Sequence, residues 1–147
     1  MKQKRHITGF YIETLLLIVV FISIILVITN IFGLARVRSA QARHLTKAVT
    51  LAQNAAEAAA ASTSIDEAAA ILDENGNVTL SEDGESLSAC YDSGLTPAAD
   101  GIYRILIHWQ EEEALANCQI SVFHGGTQEP VYTLETSVYV GDKEVRD

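Results

Sequence analysis

Between Glu13 and Arg36 the chain carries no charged residue, and residues 15–32 read LLLIVVFISIILVITNIF, with only Ser23, Thr29 and Asn30 polar. A bilayer span needs about twenty apolar residues at 1.5 Å each, and this run has that length. A helix apolar on every side and buried in a protein core is the competing reading. In a chain of 147 residues nothing else is apolar enough to surround it. A secretory signal is also weighed, because Lys2, Lys4 and Arg5 precede the run and Gly33-Leu34-Ala35 loosely resembles a small-residue cleavage site. The run is longer than the 7 to 15 apolar residues usual for such a signal. A retained membrane anchor is therefore expected, with residues 10–35 as the spanning half of a helix.

Charge is distributed unevenly about this span. Arg36, Arg38, Arg43 and Lys47 follow it, whereas eighteen of the nineteen acids lie beyond residue 48, against three bases. With bases at both ends, the excess of Lys and Arg that sets orientation is nearly balanced. The acidic distal part repels nucleic acid and anionic lipid, so neither is an expected partner there. About 110 residues follow the span, enough for one small core.

The helical pattern continues past the span. Leu45, Ala48, Val49, Ala52, Ala55, Ala56 and Ala59 recur at spacings of three and four, and neither Pro nor Gly falls between residues 34 and 61. A helix over 36–61 is predicted, continuous with the span and roughly 75 Å long from residue 10. Ser64 and Glu67 form a capping box for a short helix over 65–72. Residues 73–100 read as a turn followed by irregular loop, with one short strand over 87–91. Over 101–140 the period changes to two: Tyr103, Ile105, Ile107 and Trp109, then Ala116, Cys118, Ile120 and Val122, then Tyr132, Leu134, Thr136 and Val138 each alternate with polar or smaller neighbours. These are three half-buried strands joined by short links, hence antiparallel hairpins. Their apolar face needs a cover, and the alanine-rich half of the long helix is the element available. The expected class is α+β: a long N-terminal helix on a small antiparallel sheet, in one domain over 36–147.

The N-terminus resembles the class III signal of type IV pilins and pseudopilins. The residues that carry the resemblance are Lys4-Arg5-His6-Ile7-Thr8-Gly9-Phe10-Tyr11-Ile12-Glu13: a basic leader over 1–9, Gly followed by Phe, a lone acid, then an unbroken apolar helix. About 25 residues carry it in sequence, and the expected architecture extends it over the chain. It implies that a prepilin peptidase cuts after Gly9 and methylates Phe10, that the leader stays inside and the sheet faces the extracytoplasmic side, and that Glu13 offsets the terminal amine of a neighbouring subunit during assembly. The implied partners are the bilayer, the peptidase and other pilin-like subunits through the N-terminal helix. Glu13 stands fourth after the cut, where the family pattern has its acid fifth, and one residue turns a side chain about 100° around a helix. The membrane half also lacks the proline that many pilins carry. The alternative reading of function is an uncleaved, anchored binding or accessory protein with an acidic extracytoplasmic domain.

No catalytic residue, metal site or cofactor is expected. His44 lies on the helix and His108 and His124 at strand ends, each read as a surface or edge residue without a Ser, Cys or carboxylate partner in a recognisable motif. Glu111-Glu112-Glu113 reads as a solvated turn, and Asn77-Val78-Thr79 matches the short glycosylation pattern. Cys90 and Cys118 form either one disulfide or two free thiols.

Overall fold

The computed structural model describes the backbone of residues 3–141 and the side chains of residues 8–141. Lys2 of the expected leader, and the side chains of Lys4 and Arg5, lie outside the described part. The chain divides into two compact units, Met1–Ala42 and Arg43–Asp147.

The first unit is helical throughout its described residues, as the N-terminal part of α1 (Gln3–Ala60). The helix begins inside the expected leader rather than near Phe10, since Gln, Lys, Arg and His all tolerate helical backbone. Phe10, Leu15, Phe21, Leu26 and Phe32 are each at least 60 % exposed, so the apolar run has no protein cover among the described residues. Its hydroxyls are satisfied locally: Thr14 donates to the Phe10 carbonyl at 2.9 Å, Ser23 to Val19 at 2.8 Å and Thr29 to Ile25 at 2.8 Å. This back-bonding leaves those side chains without an unmet donor in an apolar medium. Among the described residues, one helix is long and apolar enough to cross a membrane.

The second unit contains the rest of α1, then α2 (Ile65–Leu72) and five strands, β1 (Val78–Leu80), β2 (Ser86–Tyr91), β3 (Tyr103–Glu112), β4 (Leu115–His124) and β5 (Tyr132–Tyr139). The strands form one antiparallel meander in the order β1-β2-β3-β4-β5. Ala48, Leu51, Ala52, Ala55, Ala58 and Ala59 of α1 are buried with Leu87, Ala89, Tyr103, Ile105, Ile107, Ala116, Ile120 and Val122 of the sheet. The fold is thus α+β, a long N-terminal helix packed on an antiparallel sheet. Alanine at 48, 52, 55 and 59 lets the helix backbone lie close to the strands. Leu51 and Ala58 join the buried stripe, whereas Leu45 is 45 % exposed and lies outside it.

The three strands expected over 101–140 are β3, β4 and β5, and the short strand expected over 87–91 is β2; the sheet joins them with β1, which was not expected, into five strands. In β2 the inward Leu87, Ala89 and Tyr91 alternate with Ser86, Ser88 and Cys90, a pattern whose small residues give little hydrophobic contrast. At three residues, β1 is too short for a period to register. The short helix lies where the capping box puts it. Ser64 accepts from the Glu67 N–H at 3.3 Å, and the Glu67 carboxylate reaches back to Thr63, accepting from its N–H at 2.8 Å and its hydroxyl at 3.0 Å.

Asn77 closes the turn between α2 and β1. It is 3 % exposed; its Oδ1 accepts from the Glu74 N–H at 3.2 Å and its Nδ2 donates to the Cys90 carbonyl at 3.3 Å. A glycan on that nitrogen would displace the second bond, so the folded chain is expected to carry none at Asn77. Asn77→Ala should lower stability by about 1 to 3 kcal/mol, because both backbone partners lose their side-chain bond. Denaturant unfolding of the full chain in detergent measures this.

Candidate functional site

The residues picked out at the N-terminus all lie on α1. Gly9 has open space around it, Phe10 is 67 % exposed and packs edge-on to Tyr11 with ring centroids 6.4 Å apart, and Glu13 is exposed. An isolated carboxylate at the edge of an apolar run is costly to insert in lipid unless it meets a positive partner. Thr14, the next residue, has its hydroxyl committed to the helix backbone.

Cys90 and Cys118 are both free thiols. Strand alternation explains why they do not pair. Cys118 points into the core beside Trp109, whereas Cys90 lies on the opposite, outward face in register with Arg104. Burial pushes the Cys118 thiol up to about 11, which keeps it protonated and poorly nucleophilic. The disulfide alternative is thereby corrected to two free thiols.

The histidines make side-chain contacts that the sequence does not reveal. His108 Nδ1 lies 3.1 Å from the Ser86 hydroxyl on the outward face, because β2 and β3 pair Ser86 with His108. Asp83 is close enough to feel His108. Its carboxyl is held below the ordinary carboxylate range chiefly by the Ser81 hydroxyl, then by the Glu85 N–H. The carboxylate thus serves the β1–β2 turn, and the imidazole stands on an open sheet face without a built oxyanion site beside it. This pairing ties two strands together.

The denser cluster joins α1 to the ends of β3 and β4. His44 Nδ1 is 2.7 Å from the Tyr103 hydroxyl, and the His124 ring lies against both, 4.1 Å from the His44 centroid and 4.8 Å from that of Tyr103. Tyr103 and His124 face each other because they are register partners, and the helix brings His44 over them. Burial, then His44, then Lys47 hold the His124 imidazole below its ordinary pKa. Burial raises the Tyr103 phenol. Lys47 donates to the Ser93 carbonyl in the loop after β2. Residues 44, 103 and 124 are far apart in sequence, and no local motif marks their meeting.

At the other end of the sheet, Ser64, Ile65, Asp66, Glu85, Trp109 and Gln110 border a cavity of about 520 Å³. The Trp109 indole N–H is a buried donor with no acceptor among the described residues. Among those residues no group of three or more His, Cys, Asp and Glu could hold a metal ion. The Glu111-Glu112-Glu113 triplet is split by the fold. Glu111 and Glu112 belong to β3 and point to opposite faces, whereas Glu113 occupies the turn at φ +54°.

Compared with family profiles, curated protein sequences and solved structures, the chain matches none.

Proposed function

We propose that this chain is a pilin-like or pseudopilin subunit, anchored by its N-terminal helix and used structurally in a type IV pilus, type II secretion or DNA-uptake assembly. The observation that carries the reading is one continuous helix, α1, that carries Gly9-Phe10 and the lone Glu13 near its start, continues through an exposed apolar run and ends as the cover of an antiparallel sheet. In this reading the bilayer holds the apolar half, the sheet domain faces the extracytoplasmic side, a prepilin peptidase removes residues 1–9, and Glu13 meets the new amine of a neighbouring subunit.

Mass and N-terminal sequence of the protein from its native membrane test the proposal. A chain beginning at N-methylated Phe10 is expected. Gly9→Val should abolish cleavage completely, and since nothing lies within 4 Å of a side chain added at Gly9, that loss would report on the peptidase rather than on folding. A mature chain that still begins at Met1 in cells expressing the peptidase overturns it. The displacement of Glu13 by one position favours a second reading, an uncleaved anchored accessory protein whose acidic domain binds an envelope partner. Intact Met1, with partner capture lost on removing residues 62–147, would support that reading.

A further inference from the structure

The contact of His44, Tyr103 and His124 has a composition that neither packing nor hydrogen bonding alone requires. Two imidazoles lie with centroids 4.1 Å apart, and the charged group that bears on them from the helix is Lys47, another cation. From β3 the facing group is the Tyr103 phenol, neutral at physiological pH. From the loop after β2 the neighbour is the Ser93 carbonyl, which receives Lys47. Among the described residues no carboxylate enters the electrostatic balance at His124. With both rings neutral, the stack is an ordinary aromatic contact. With both protonated, two positive charges would sit a few ångströms apart beside a third.

We propose that His44 and His124 form an acid-sensitive latch between α1 and the β3–β4 end of the sheet, closed when the rings are neutral and released when both are protonated. The Tyr103 hydroxyl keeps its bond to His44 in either state. It donates to an unprotonated Nδ1 and accepts from a protonated one. Repulsion therefore falls on the His44–His124 contact, the one between helix and strand β4. Above the ordinary histidine value of about 6.5 neither the closed nor the open state binds a proton, and the latch contributes fully. As pH falls through that value the open state takes up protons that the closed state refuses at His124. The contribution then declines until the lowered His124 value is passed. The Ala48–Ala59 stripe packs on the sheet beyond this contact, so release loosens the helix segment from its His44 end rather than unfolding the domain.

The test is backbone hydrogen exchange and histidine ring NMR on the full chain in detergent micelles between pH 7.5 and 5.0, with exchange corrected for its intrinsic pH dependence. Protection over residues 43–52 is expected to fall with acid, by about tenfold for each unit by which His124 titrates below its ordinary value. His124→Gln should remove the acid response, and His44→Gln should shrink it, because burial still opposes a charge on His124. Lys47→Met leaves both rings in place, so it should raise the His124 midpoint and shrink the response, which a purely structural role for Lys47 would not do. Equal protection at pH 7.5 and 5.0, an unchanged response in either glutamine variant, or a His124 midpoint at or above 6.5 overturns the latch.

Discussion

Gly101→Ala is expected to destabilise the domain by on the order of 3 kcal/mol or more, an effect out of proportion to one added methyl group. After β2 the chain passes through Asp92–Asp100, returns with a bridge between Tyr91 and Pro97, and lays Gly101 on the main chain of Tyr91. A Cβ at 101 would overlap the backbone nitrogen, carbonyl carbon and oxygen of that residue. Overpacking of side chains typically costs about 1 to 3 kcal/mol because rotamers can yield. Backbone cannot yield in that way, and Tyr91 is held in register with Tyr103 at the end of β2 and β3. Urea unfolding of the full chain in detergent, followed by the fluorescence of Trp109, measures the loss. Gly94→Ala is the useful control: the nearest atom to its Cβ is the Asp92 carboxylate oxygen at 3.3 Å, a side chain that can shift. A stability within about 0.5 kcal/mol of the parent at Gly101→Ala would mean that the loop is free to rebuild.

Ile107→Ala should cost about 2 to 5 kcal/mol, the range for deleting a large aliphatic side chain from a packed interior. Ile107 is 0 % exposed and sits between register partners Leu87 and Ile120, both also fully buried. Most of what α1 adds to this core is alanine, at 48, 52, 55, 58 and 59, with side chains too short to fill the space a truncation leaves. The value should therefore lie in the upper half of that range, since cavities that cannot collapse are the expensive ones. Ile107→Val should cost about 0.5 to 1.5 kcal/mol. Calorimetry or urea unfolding of the same detergent-solubilised chain distinguishes the two. A loss below about 1 kcal/mol for the alanine variant would show that the helix moves in to fill the gap.

The two periodicities of the sequence carried most of the fold. The apolar run, the capping box at Ser64 and Glu67, and the inward residues of β3, β4 and β5 are legible because each depends on neighbours within about ten residues. What escaped was weak in the same currency: the strand over 87–91 is legible but not its place in the sheet, and Val78–Leu80 is a strand because Leu87, Ser88 and Ala89 pair with it. The histidine contacts were hidden for a related reason. His44 looks solitary on its helix and His124 looks terminal on its strand, and only the packing of α1 across the sheet places one ring on the other.

By itself, the sequence determined an apolar run long enough to span a bilayer and a helix-then-sheet order, since hydrophobic periodicity and length are properties of the chain before it folds. Tertiary structure alone decided that the sheet has five strands, that Cys90 and Cys118 face opposite sides, that Gly101 has no room for a side chain, and that His44, Tyr103 and His124 meet. Each of those is a matter of register or of approach between segments distant along the chain. A shift of one residue in a strand exchanges its two faces, and no local pattern states which partner residue will be opposite.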